Sequence, residues 1–250
     1  MISLVMPCYL RPHLLRWGLY SLNKQHFNFD FEIIILNDGL PNDGTEELCK
    51  QYSNLNIRYI FTGQRNLDGM KWQVPGVVYN QGVNLAEGNI IILSGAEIFY
   101  LGEEDINKLV YPLLSNSKIL VIPEGKDDDK GFFLKELEEN SEKTYLLRNM
   151  YYNYELKTPL NTKLNFCMAM HKKTYNDIDG FDSAFFEGYC FDDNDFVNRL
   201  VKNGNKYYLV NVRIIHLFNS RKVEDRVGLK NRKEMWLKNK KIYEDRWGKI

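Results

Sequence analysis

The chain has 250 residues, 44% of them hydrophobic and 14% aromatic, enough to bury one sizeable core. Its 33 basic and 33 acidic side chains cancel, which excludes a global field drawing the whole molecule onto nucleic acid or an anionic membrane. The four cysteines, Cys8, Cys49, Cys167 and Cys190, are scattered without a CxxC pair; this favours reduced thiols in a cytoplasmic protein over a disulfide framework or a structural zinc site. The first residues carry no basic leader, and no apolar run approaches the roughly 18 residues of a membrane span.

In chain order, "ISLVMP" predicts a first strand, and Leu14, Leu15, Leu19 and Leu22 have the spacing of a helix between Pro12 and Gln25. "EIIIL" predicts the next strand. "DGTEELCKQY" then offers Asp43 or Thr45 as an N-cap, followed by acidic residues that suit a helix start. "IRYIF", "NIIIL", "KILVIP" and later "KYYLVNVRIIHL" have the length and β-branched content of strands buried on both faces. Strands alternating with helices predict an α/β fold whose central sheet is mostly parallel, with helical crossovers. Between Glu124 and Thr162 the pattern loosens into a charged turn, "GKDDDKG", and a helix starting at "FFLKELEEN", read as an insertion or lid. Arg221 to Lys249 holds 11 basic and 5 acidic residues, a basic helical tail. Its interleaved aromatic residues fit an amphipathic helix packed on the domain, or, as a sharper reading, a platform for phosphate-bearing acceptors or DNA.

Ligands of open α/β sheets bind at the carboxyl ends of strands. Three stretches qualify: Cys8 to Arg11, Asn37-Asp38-Gly39, and Ser94 to Glu97. Asp38 suits hydrogen bonds from a base or ribose, although "NDGLPNDG" reads equally well as a turn-rich loop. A fourth stretch, "EGYCFDDNDF", collects Glu187, Asp192, Asp193 and Asp195 among aromatic residues. Asp192, Asp193 and Asp195 also suit a helix N-terminus, and Asp195 is assigned that structural part. A calcium loop is not expected, because the glycine and terminal glutamate spacing are missing.

Taken in order, "SLVMPCYLRPHLLRWGLYSLNKQ", "FEIIILNDGLPNDGTEEL", "VVYNQGVNLAEGNIIILSGAEI" and "GFDSAFFEGYCFDDNDFVNRL" resemble the inverting nucleotide-sugar glycosyltransferases of family 2. The block ending at His216 looks like the carboxyl-terminal part of galactosyltransferase-type members. The resemblance implies a GT-A, Rossmann-like fold with helices on both faces of the sheet and a helical C-terminal extension. It implies a domain over 1–220, with a nucleotide-sugar part to 123, an insertion over 124–162 and an acceptor and catalytic part over 163–220, followed by the tail at 221–250.

The family's Pro-x-Tyr-Asn-Arg matches Pro7, Tyr9 and Arg11, with Leu10 in place of the Asn; its Asp-Asp-Gly matches Asp38, with Asn37 in place of the first Asp. An Arg followed by Asn-x-Gly matches Arg65, Asn80 and Gly82. Its Asp-x-Asp metal motif is reduced here to Gly95-Ala96-Glu97. The implied donor site is thus Pro7, Tyr9, Arg11, Asp38, Arg65, Asn80 and Gly95. Glu97 and His216 are the implied ligands of a divalent ion, Mn in preference to Mg because Mn accepts imidazole. In the acidic block the resemblance implies Asp193 as general base, and Asp192, Tyr189 and Glu187 as acceptor contacts. The implied activity is metal-dependent, inverting transfer of a sugar, expected from a UDP-linked donor, to an acceptor hydroxyl. The acceptor is open among a glycan, a lipid-linked sugar, a protein and a modified nucleic acid. The alternative is a catalytically inactive GT-A domain that binds sugar nucleotide or glycan, as the changes at Leu10, Asn37 and Gly95 would allow. A nucleotidyltransferase leaves the acidic block unexplained.

Overall fold

Every residue of Ile2–Cys8 (β1) except Pro7 is buried, as a central strand requires. The computed structural model describes residues 1–63, 74–140, 158–164, 166–219 and 232–249. The remaining strands are Phe31–Asn37 (β2), Ile57–Phe61 (β3), Ile90–Ser94 (β4), Ile98–Tyr100 (β5), Ile119–Asp127 (β6), Thr158–Pro159 (β7), Cys167–His171 (β8) and Lys206–His216 (β9). They form one sheet in the order β3-β2-β1-β4-β8-β6-β9-β5, with β7 paired to β6. β1 to β4 are mutually parallel, and β6 and β9 are parallel to each other. β8 runs antiparallel to both its neighbours, and β5 and β7 are antiparallel too. Most strands therefore point one way, and their carboxyl ends share one edge.

The helices are Pro12–Leu22 (α1), Thr45–Lys50 (α2), Pro75–Leu85 (α3), Asp105–Ser115 (α4), Phe132–Asn140 (α5), Lys172–Asn176 (α6), Asp192–Lys202 (α7) and Arg232–Trp247 (α8). α1 and α3 both open on proline, whose missing N–H costs nothing in the first turn. Alternation along the strands gives the sheet an apolar cluster on each face, and a third gathers around Trp17, Phe99 and Phe133. Leu4, Met6, Ile33 and Ile92 pack with α1 and α4 on one face, while Val5, Ile34, Leu36 and Ile91 pack with α3 and α7 on the other. Gly82 permits the close seat of α3, since a Cβ there would lie 2.4 Å from a Val5 methyl.

Three local departures from the sequence reading have physical causes. The N-cap of α2 is Gly44, in left-handed conformation, and Asp43 serves the helix by accepting the Thr45 amide at 3.0 Å. β6 does not stop at Pro123: its register against β9 shifts between Ile122 and Glu124, where the proline has no N–H to give, and pairing then resumes as far as Asp127. β8, with its short "CMAMH" run, falls between β4 and β6. Residues 141–157 of the expected insertion and 221–231 of the expected tail lie outside the described residues, as does Arg65. Among the described residues no helix is long and apolar enough to cross a membrane.

Candidate active site

β1 and β2 end side by side, with Cys8 opposite Asn37, and the Asp38 amide donates to the Cys8 carbonyl at 3.2 Å. Asn37 is fully buried and organises the loop that follows. Its amide nitrogen donates to the Leu40 carbonyl (2.9 Å), Asp43 (3.1 Å) and the Tyr59 hydroxyl (3.2 Å), and its oxygen accepts the Gly39 amide (2.9 Å). A carboxylate has no proton to give those three acceptors. Asn37 thus gives the loop donors that an aspartate lacks, and Asp38 next to it is buried. Pro7 pairs with Leu36 within the sheet, and beyond Tyr9 the chain turns at Leu10 with φ 53°, a left-handed conformation that asparagine adopts more readily than leucine.

Glu97 lies in the short link between β4 and β5, 9% exposed. A Cβ on Gly95 would meet the Glu97 carboxylate at 3.3 Å, so the longer arm of the glutamate occupies the space beside the glycine. Arg11 donates from Nη1 to Glu97 Oε1 at 2.7 Å. With its amide oxygen facing Arg11, Asn219 accepts from Nε and Nη2 of the same guanidinium at 3.1 and 2.9 Å. Across the β5–β9 pair, His216 Nε2 stands 3.4 Å from Glu97 Oε1, and His216 Nδ1 is 2.9 Å from Asp127 Oδ1. Burial pushes the Glu97 carboxyl upward, but Arg11 and His216 overcome this and hold it at about 2. Burial works against the His216 cation, and the hydrogen bonds it donates to Asp127 and Glu97 more than offset this, raising the imidazole to about 9.

The acidic block forms a second group. Cys190 and Phe191 are both left-handed, with φ 63° and 68°, and they deliver the chain into α7. Burial and the neighbouring Asp193 push the Asp192 carboxyl up, and burial raises Asp193 as well. Asp192 also accepts the amide of Gly76, at the start of α3. On the same helix burial pushes the Tyr79 hydroxyl up, and the negative charge of Glu97 adds to this.

Other expected site residues are engaged elsewhere. Asn80, expected to face the donor, is a clamp: its amide donates to the Phe181 carbonyl at 2.9 Å and accepts the Phe181 amide at 2.9 Å and the Tyr175 hydroxyl. The Tyr189 hydroxyl accepts from Arg232 at 2.6 Å, and the guanidinium lies over its ring, 4.6 Å from the centroid. Glu187 pairs with Lys238 at 3.0 Å on the surface. Asp195 is fully buried and accepts from Arg199 (2.7 Å), Arg246 (2.7 Å) and Trp247 (2.9 Å), a structural hub for α8. Asp127 and Asn219 escaped the sequence reading; the available signal for Asp127 was a carboxylate at the end of a strand running beside the one that ends in His216.

Among the described residues no group of three or more His, Cys, Asp or Glu side chains forms a metal cage. Glu97 Oε1 and His216 Nε2 nevertheless face each other at 3.4 Å. Bonds of about 2.1 Å put adjacent donors of an octahedron roughly 3 Å apart, so the pair fits two neighbouring positions. Asp127 on the far ring nitrogen is the partner that a metal-ligating imidazole requires.

Comparison with protein-family models matches residues 3–179 to glycosyl transferase family 2 and residues 147–222 to a family described as the N-terminal domain of galactosyltransferase. A search of curated protein sequences finds no significant match. Among solved structures, Staphylococcus aureus TarS 1-349 in complex with UDP-GlcNAc superposes with a TM-score of 0.60 at 17% identity, over 88% of this chain and 59% of that one. The mannosyltransferase PcManGT from Pyrobaculum calidifontis, in complex with GDP-Man and Mn2+, gives 0.58 at 11% identity, over 88% and 57%. The chain therefore spans less than two thirds of the length of either structure, and at these identities the likeness is one of fold.

Proposed function

The chain belongs to glycosyl transferase family 2, and from that premise we propose that it carries out metal-dependent, inverting transfer of a sugar from a UDP-linked donor to an acceptor hydroxyl. The observation that carries this reading is the cluster of Arg11, Glu97, His216 and Asp127. It lies at the carboxyl edge of the sheet, and the Asp192–Asp193 pair opens α7. TarS and PcManGT, with sugar nucleotides bound, share the fold and support the donor class.

Asp38 and the chain from Pro7 to Tyr9 hold the nucleoside, and Arg11 faces the diphosphate. Glu97 and His216 hold the divalent ion, Mn in preference to Mg, and Asp127 fixes the imidazole. When bound, the ion neutralises charge that gathers on the departing diphosphate. The acceptor oxygen bonds to the anomeric carbon from the face opposite the diphosphate. The carbon–oxygen bond to phosphate breaks with its electron pair leaving on the diphosphate, and the configuration inverts. Asp193 takes the acceptor proton as the new bond forms, and Asp192 orients the hydroxyl. The acceptor class stays open among glycan, lipid-linked sugar, protein and modified nucleic acid. The four free cysteines fit action in the cytoplasm.

The inactive-domain reading rested on Leu10, Asn37 and Gly95. Asn37 supplies donors to its own loop, and Gly95 makes room for Glu97. Neither change requires a lost reaction. The test is a thermal-shift panel of UDP, UDP-N-acetylglucosamine, UDP-galactose and GDP-mannose, each with Mn, Mg or chelator. Stabilisation by the UDP compounds in Mn and its loss in chelator support the reading. No response to any nucleotide overturns it.

A further inference from the structure

α8 lays Arg232, Met235, Trp236, Asn239, Tyr243 and Arg246 against the acidic segment and its approach, a stripe at helical three- and four-residue spacing. The Met235 carbonyl accepts the Tyr189 amide at 3.2 Å, and the rings of Trp236 and Tyr243 lie 5.6 and 5.5 Å from that of Phe191. Asn239 is fully buried at the centre of the stripe. Its Nδ2 donates to the carbonyls of Phe185 (3.0 Å) and Cys190 (2.7 Å). It lies so close to Gly188 that a Cβ there would fall 1.8 Å from Asn239 Oδ1. The carbonyl that Asn239 holds belongs to the first of the two left-handed residues, and Asp192 follows the second. Consecutive left-handed non-glycine residues persist only where the surroundings over-determine them. Here the surroundings are those of α8.

We propose that Asn239 is a positioning residue for the reaction: by tying the Cys190 carbonyl to α8 it holds the left-handed Cys190–Phe191 turn, and so sets where Asp192 and Asp193 stand. The inference rests on the assignment of Asp193 as the base.

The test uses the full chain, Mn, and whichever sugar nucleotide of the panel the wild type hydrolyses fastest, with water as acceptor. Asn239→Ala, and the milder Asn239→Ser that keeps a hydroxyl donor, are expected to lower kcat about tenfold or more while the Kd for UDP stays within about twofold. Asparagine adopts the left-handed region more readily than cysteine, so adding Cys190→Asn to Asn239→Ala should recover about threefold or more of the lost kcat. A role in stability alone gives no such rescue. Amide exchange over residues 185–196 should quicken while the sheet strands stay protected. Wild-type kcat in either folded variant, a parallel loss of UDP binding, or the absence of rescue overturns the proposal. Asp193→Asn run alongside separates the failures. If it still turns over, the base assignment falls; if it is inactive beside fully active Asn239 variants, only the positioning role falls. Should the wild type hydrolyse no donor, unchanged exchange over 185–196 overturns the proposal and quickened exchange there supports it.

Discussion

His216 and Asp127 stand opposite each other at the ends of the parallel pair β6 and β9, ring nitrogen Nδ1 2.9 Å from Oδ1, while Nε2 faces Glu97. A carboxylate on one ring nitrogen fixes the tautomer and leaves the other for a ligand. Asp127→Asn is therefore expected to weaken Mn binding about 10- to 100-fold in the presence of UDP. Calorimetric titration reads this directly, and an unchanged affinity removes Asp127 from the site.

The same cluster sets a pH dependence in chelator. His216 is raised from 6.5 to about 9 in the folded protein, so its stabilisation is complete below pH 6.5 and is lost as pH rises through about 9. Glu97 is lowered from 4.5 to about 2, so its share is present above pH 4.5 and is lost as pH falls toward 2. Urea unfolding between pH 6 and pH 9.5 should show a decline of up to about 3 kcal/mol. His216→Gln should flatten it, and an equally steep decline in that variant would place its source elsewhere.

Asp193→Asn is expected to lower transfer by about 10²- to 10⁴-fold with UDP binding retained. Because burial holds both carboxyls above the usual range, the ionised base accumulates only at a pH above that of an ordinary aspartate. The acid limb of log kcat should lie in that upper range. A limb near pH 4, or wild-type turnover by Asp193→Asn, points to another base.

Asp195→Ala removes a fully buried carboxylate from Arg199, Arg246 and Trp247 at once. The Arg199 and Arg246 side chains are 18% and 33% exposed, so water offsets part of the lost pairing, and a loss of about 2 kcal/mol is expected in denaturant unfolding. A loss below about 0.5 kcal/mol would mean that Asp195 is not the hub that holds α8.

The sequence read well where one element speaks for itself. The six apolar runs became strands, and the turn residues after β1, β2 and β4 came to one edge because those strands are parallel neighbours. Glu97 and His216, 119 residues apart, were paired on motif grounds and lie 3.4 Å apart. What the sequence hid depends on partners distant along the chain. Asp127 sits in a run of charges that reads as a turn, and only the shift after Pro123 and the register with β9 bring it to His216. Asn80 has the spacing of a donor contact, yet the loop at Phe181, about a hundred residues on, claims its amide. Tyr189 has the look of a sugar platform, and Arg232 takes its face. In each case a polar group bonds to whatever tertiary packing sets beside it, which periodicity does not record.

The Asn80 clamp bears on how the molecule moves. Through Asn80 and Gly76, one short helix from the amino-terminal half grips both the Phe181 backbone and Asp192. Helix α3 and the segment that runs from Phe181 to Asp192 are thereby tied to each other at two points. Val78, Tyr79 and Val83 of that helix share one apolar cluster with Phe181, Phe196 and Leu200, so a cut between the two stretches would leave neither with a finished core.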